Sequence, residues 1–367
     1  MSLAVTRPWL LPIFLLMACA ATAALADDHD NIVPPPSPAI LSVSTVPATG
    51  DQNPYGVAFV PEHFRSGGPL SPGDILVSNF NDGANVQGTG STIMQIKQDG
   101  SPATVFFQGA PGLGLTTALG VLRQGFVLVG SVPTTDGNCD TITAGALLII
   151  DRFGHIVETL TDSVLLDGPW DLTVHQKHGE DRAQVFVANV LSGTVTRLDL
   201  GFRDGDDTVV VESETQIASG YLTACNAAAV VVGPTGLAFD ARRDILYVAS
   251  TDDNEIFAVR HAGRTRHDEG TGRVVYQDNV HLHGPLALAL APNGHLLTAN
   301  GDAINPDPTQ FSEIVEFTRD GDFVSQFQVD PVVGSAFGLA VTSTDDGILF
   351  AAVDDNTIML EEWFEER

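Results

Sequence analysis

A few side chains in this chain are of the right type, at the right spacing, to do chemistry. His281 and His283, in "HLH", would point the same way on an extended strand and could face one metal ion. The ordinary alternative is a pair of solvent-facing histidines; His175, His178 and His295 fall on turns at the opposite side and cannot complete such a site. Asp171 sits in "GPWDL", and an unpaired acid buried there would need a cation or several hydrogen bonds. The "DGDD" run, Asp204 to Asp207, lacks the spaced acids and closing glutamate of a calcium-binding loop. Asn79, Asn189 and Asn300 each end an apolar run with an amide able to recognise a polar ligand, or simply to organise the turn that follows. A phosphate-cradling glycine loop, a nucleophile elbow, a CxxC zinc motif and a Cys/His dyad are all absent from the sequence.

The elements that must position these residues recur. "GPTGLAFDARRDILYVASTDDNEIFAV", from Gly233, reads as an opening turn, an apolar strand, a charged turn, a second strand, a polar loop and a third strand. The same order appears six times, with opening positions at Gly56, Gly120, Asp171, Gly236, Ala287 and Gly338, at separations of 64, 51, 65, 51 and 51. A near-constant period of this size marks stacked supersecondary units, and four short antiparallel strands per unit mark propeller blades. Asp-Gly pairs at Asp99-Gly100 and Asp320-Gly321 supply the hairpin turn between third and fourth strands. Only 29 residues follow Gly338, enough for three strands, so "AILSVSTV" (39–46) is expected to supply the fourth and cover the open edge. The predicted fold is all-β: one six-bladed β-propeller spanning 39–367, its last blade closed by an N-terminal strand.

Two columns of equivalent residues follow. Tyr55, Leu119, Trp170, Thr235, Leu286 and Phe337 precede the opening positions, and Asn79, Ser131, Asn189, Ser250, Asn300 and Val353 end the second strands. Both belong on the face around the channel mouth, where propellers bind ligands. Asn79, Asp171, Asn189, Asn300, Tyr55 and Trp170 are therefore the candidate ligand-binding residues.

Residues 1–26 read as a secretory signal peptide: Arg7, an apolar run and a small-residue site at "ALA" before "DDHD". A retained membrane helix or lipidation of Cys19 are the alternatives; the run is short and broken by Pro12, and Met17 suits a lipobox poorly. No other stretch is long and apolar enough to span a bilayer, so the expected product is exported, periplasmic or extracellular. Residues 27–38, "DDHDNIVPPPSP", form a polar, Pro-rich lead-in with no core pattern. Cys139 and Cys225 remain after cleavage; they permit one disulfide in an oxidising compartment, with two separate thiols as the alternative. Their places predict a bridge between channel-mouth loops across the third blade. The net charge of −29 excludes nucleic acid and anionic lipid as partners and suits a solubilising surface, with cation binding by Asp-rich loops the sharper reading.

The repeat at Gly233 resembles the NHL type, and the whole layout is similar to the six-bladed, calcium-dependent group of gluconolactonases, paraoxonases and diisopropylfluorophosphatase. That resemblance implies calcium as cofactor, held by Asn or Asp just before the opening positions. Here "GPTG", "NPYG" and "SAFG" put Thr, Tyr and Phe in those places, and aromatic rings offer calcium no oxygen. No catalytic residue carries over. The expected function is an exported module binding an unidentified small molecule or protein at the channel mouth. The alternatives are a divalent-metal-dependent hydrolase or lactonase using Asp171, and a structural cell-envelope module.

Overall fold

Short apolar runs punctuated by turns close into a ring because each sheet buries both faces against its neighbours. The computed structural model describes Met1 and residues 31–33, 38–177, 179–203, 208–301, 304–306 and 309–366. Residues 2–30, with Cys19, lie outside the described residues, as do His178 and Asp204 to Asp207.

Blade one is β2 (Gln52–Phe59), β3 (Ile75–Asn81), β4 (Thr92–Ile96) and β5 (Thr104–Gln108). Blade two is β6 (Leu115–Leu122), β7 (Phe126–Ser131), β8 (Ala146–Asp151) and β9 (Ile156–Leu160). Blade three is β10 (Pro169–His175), β11 (Arg182–Asn189), β12 (Thr194–Phe202) and β13 (Val209–Ser219); a hairpin, β14 (Ala224–Asn226) and β15 (Val230–Val232), follows it. Blade four is β16 (Pro234–Asp240), β17 (Ile245–Ser250), β18 (Glu255–Arg260) and β19 (Arg273–Tyr276). Blade five is β20 (Pro285–Leu290), β21 (Leu296–Asn300), β22 (Glu313–Phe317) and β23 (Phe323–Gln328). Blade six is β24 (Ala336–Ser343), β25 (Gly347–Asp354) and β26 (Met359–Glu366), with β1 (Leu41–Ser44) as its outermost strand. β1 runs antiparallel to β26, Leu41 opposite Glu362 and Ser44 opposite Met359, which is the closure expected of the segment ahead of the first repeat. Blades one to five pair their strands in chain order from the channel outward, and blade six runs β24, β25, β26 and then β1. The one helical turn among the described residues is Cys139–Thr141, and none of their helices is long and apolar enough to cross a membrane.

Every innermost strand carries a bulge near its start. Pairing slips between Pro54 and Gly56, Leu115 and Leu119, Pro169 and Asp171, Pro234 and Leu237, Pro285 and Leu288, and Ala336 and Leu339. The residues before the slips face Asn79, Ser131, Asn189, Ser250, Asn300 and Asp354. The sixth member of that column is thus Asp354, not Val353. In blade two, Leu119 faces Val129 as Val57 faces Val77, so Ala118 occupies the opening position rather than Gly120, and Thr117 rather than Leu119 precedes it. The bulge of β6 holds one residue more than that of β2, a difference that spacing alone does not reveal. Small residues are needed at the slips because neighbouring strands converge there: a Cβ on Gly56 would lie 2.7 Å from the Thr117 carbonyl, and one on Gly338 would overlap the Tyr55 carbonyl.

The lead-in differs from the expectation of a segment with nothing to bury. Ile32 and Val33 are 4% and 0% exposed and join the apolar cluster between blades five and six, against residues such as Ala291, Phe350 and Trp363. Their backbone N–H groups donate to one oxygen of the buried Glu316 at 2.7 and 2.9 Å. Polarity averaged over "DDHDNIVPPPSP" hides two aliphatic residues that fill a gap between blades.

Candidate functional site

The six innermost strands enclose a channel of about 400 Å³ along the ring axis. Its wall is mostly aliphatic (Val57, Leu119, Leu172, Leu288, Val341), and Asp171 is the one carboxylate among the described lining residues. Asp171 stands at the slip of β10, where all five other blades have glycine or alanine (Gly56, Ala118, Gly236, Ala287 and Gly338). Its carboxyl accepts the Leu172 N–H at 2.7 Å and a second backbone N–H from Leu237 of the next blade. Burial pushes its pKa well above the usual carboxylate range, against the pull of those two donors.

Directly beside Asp171 the mouth is plugged by aromatic rings. Tyr55 and Trp170 are 2% and 1% exposed. Tyr55 stacks on Phe80 at 4.9 Å, meets Phe337 at 4.8 Å and stands edge-on to Trp170 at 6.3 Å; Phe80 and Trp170 meet at 5.4 Å. Burial, the nearby Asp355 charge and Asp171 raise the Tyr55 phenol, opposed by a hydrogen bond with the Trp170 side chain. Asp355 itself is pushed up to about 6, by burial and then by the charge of Asp354.

Over the plug lies the hairpin of β14 and β15, with Val230 and Val231 packed into the same cluster. Val230 holds φ at 63°, a costly conformation for a β-branched residue, and its side chain is 1% exposed against the rings. Cys139, from the loop after β7, and Cys225, on β14, form a disulfide with Cα atoms 5.7 Å apart. The bridge spans blade three, as their places in the sequence predict. It pins the hairpin over the rings, so anything reaching Tyr55 or Trp170 from this face must first move the hairpin.

The three asparagines sit in three separate blades, each nearly or fully buried. Asn79 donates to the Thr45 carbonyl and to Thr92 Oγ1, both at 3.0 Å. Asn189 donates to the Leu165 carbonyl at 3.0 Å and to Thr194 and Thr196 Oγ1 at 3.1 Å. Asn300 donates to the His281 carbonyl at 2.8 Å and accepts the His283 N–H at 2.9 Å. Thr45, Leu165 and His281 belong to the loops that cross from one blade to the next. Each amide therefore ties the end of a second strand to the crossover leading into its own blade.

His281 and His283 lie in such a crossover, not on a strand, so alternation does not align them. The His281 Nδ1 meets Asp278 at 2.8 Å and the ring stacks on Phe323 at 3.8 Å. His175 stacks edge-on to Phe239, and His295 pairs with Glu316 at 2.7 Å. No three His, Cys, Asp or Glu side chains among the described residues form a metal-holding group. Calcium takes six to eight oxygens. One carboxylate in an aliphatic channel is a poor donor set for it, and no step is derived through a metal.

No protein-family model matches the sequence, nor does any curated protein. Among solved structures, a gluconolactonase from Xanthomonas campestris is similar over 86% of this chain and 88% of its own, with a TM-score of 0.52 and 15% identity. A calcium-binding protein, regucalcin, from Agrobacterium tumefaciens is similar over 90% of this chain and 97% of its own, with a TM-score of 0.51 and 14% identity. At such identities the likeness is one of architecture, and the architecture this chain has in common with both is the six-bladed β-propeller.

Proposed function

We propose that the protein is an exported binding module that works through its channel-mouth face and performs no catalysis there. The observation that carries this reading is the filling of the mouth. Where a hydrolase needs converging oxygen or nitrogen donors, this chain has a packed cluster of Tyr55, Phe80, Trp170 and Phe337 under a disulfide-pinned hairpin. Asp171 lacks a second acid, a histidine or a lysine among the described channel-lining residues to share protons or metal.

The metal-dependent lactonase reading draws on the likeness to the gluconolactonase and regucalcin propellers and on Asp171 in the channel. Calorimetric calcium titration and a lactone-hydrolysis assay with excess calcium separate the two. The binding reading expects no Asp171-dependent heat and no turnover above buffer. Stoichiometric calcium binding abolished by Asp171→Ala, together with calcium-dependent lactone opening, would overturn it.

A further inference from the structure

The loops on the channel-mouth face display a pattern that the fold itself does not require. In four successive crossovers an aspartate oxygen accepts the backbone N–H of an aliphatic residue whose side chain points into solvent. Asp162 holds Val164 at 2.8 Å, Asp253 holds Leu222 at 3.1 Å, Asp278 holds Val280 at 3.0 Å and Asp330 holds Val332 at 2.7 Å. Those side chains are 67%, 54%, 68% and 45% exposed. Each of the three Asp-x-Val turns needs the carboxylate and the N–H and would form equally with serine in place of the valine; Leu222 is held instead by Asp253 from the link between the second and third strands of blade four. A single exposed aliphatic is ordinary, but one in each of four successive crossovers on one face is a recurrence that scattered exposure does not account for. The loops are also held in place. Asn189 grips the carbonyl next to Val164, Asn300 the carbonyl next to Val280, and Ser250 donates to Asp253 at 2.6 Å.

Charge identifies what such a surface fits. The twelve loops of this face, six crossovers and six links between second and third strands, contain no lysine or arginine in sequence. They hold eleven aspartates among the described residues. Arg65, Arg123, Arg152, Lys177, Arg243 and Arg319 all lie in turns at the other end of the blades. The Leu165 and Val164 N–H groups hold the Asp162 carboxyl below its usual range, which favours its charged form. A second copy of this chain approaching with the same face would meet it with like charge, as would nucleic acid or an anionic bilayer.

We propose that the Val164, Leu222, Val280 and Val332 loops form a docking surface for a protein partner that carries lysine or arginine around apolar side chains. The proposal rests on the binding-module reading and names its partner class. It is tested by fluorescence anisotropy with a labelled amphipathic peptide of lysine and leucine, and with its glutamate–leucine and lysine–serine counterparts. The lysine–leucine peptide should bind saturably, more weakly at high salt. The variant Val164→Ser/Leu222→Ser/Val280→Ser/Val332→Ser should weaken that binding about tenfold or more with an unchanged melting temperature. Phe153→Ser, in a turn at the other end of the blades, should leave it intact. Equal affinity for wild type and the fourfold variant, equally tight binding of the glutamate–leucine peptide, or no binding of any peptide would overturn the proposal. If the lactone assay stays negative while the peptides fail, the partner class alone falls; a calcium-dependent activity would sink the binding reading itself.

Discussion

Replacing Ile32 and Val33 with alanine should destabilise the propeller measurably, although both precede its first strand. The two substitutions remove about five buried carbon atoms from the cluster between blades five and six. At about 0.8 kcal/mol per buried CH₂ the loss is roughly 4 kcal/mol, before any cavity term. The side chains are 4% and 0% exposed, so little of that value is discounted. An unfolding entropy near 2 cal/mol/K per residue converts it to a fall in melting temperature of about 5–6 °C for a ring of this length. Scanning calorimetry on the double variant, beside Ile40→Ala as a control at a site 56% exposed, reads the effect directly. The control should shift little. A double variant melting within about 1 °C of the parent would refute the packing of this segment.

Two further outcomes are expected. Replacing Cys139 and Cys225 with serine removes a bridge across 86 residues, which should cost about 4–5 kcal/mol by loop closure; equal denaturation midpoints with and without the bridge would contradict this. Asp355, held near 6 when folded, should erode stability as pH rises from its ordinary carboxylate range through 6, because the unfolded chain ionises first. The direction follows from linkage: a raised folded pKa favours the protonated state, so the stability present below the unfolded pKa is lost on ionisation. The loss should approach about 2–3 kcal/mol, and Asp355→Asn should flatten that part of a melting-temperature profile between pH 4 and 8. A variant with the parent's slope would exclude Asp355 as its source.

The fold was legible because propeller blades repeat. Six copies of one strand grammar, with an unpartnered strand ahead of them, leave little choice but a closed ring, and β1 beside β26 completes it. The fine register was not legible. The bulge in β6 takes one more residue than the bulge in β2, and the glycine of "TALG" lies two positions past the opening position, so matching glycine to glycine chose Gly120 over Ala118. A bulge adds length without altering apolar pattern, so periodicity cannot detect it. Ile32 and Val33 were hidden for a related reason. Two apolar residues make no periodic pattern, and their burial depends on a gap between blades that exists only once the ring is closed.

The column of small polar residues shows how a chemical signal can be read at the right positions while its geometry stays hidden. Asn79, Asn189 and Asn300 do face the channel-mouth end, but their amides are turned outward along the sheet to the crossover loops. What the crossovers into blades three, five and six then present is a valine on an aspartate-built turn. In sequence this reads as "DSV", "DNV" and "DPV", three short strings scattered over more than a hundred residues and unremarkable one at a time. Only the ring brings them to one face. The same closure separates the charges, because loops joining strands at one end of the blades carry all their acids without a single lysine or arginine. A net charge of −29 is consistent with mere solubility when spread evenly. Where eleven described aspartates gather in loops without lysine or arginine, beside four exposed aliphatic side chains, charge also bears on which surfaces can approach, and two copies meeting through this same face would repel each other.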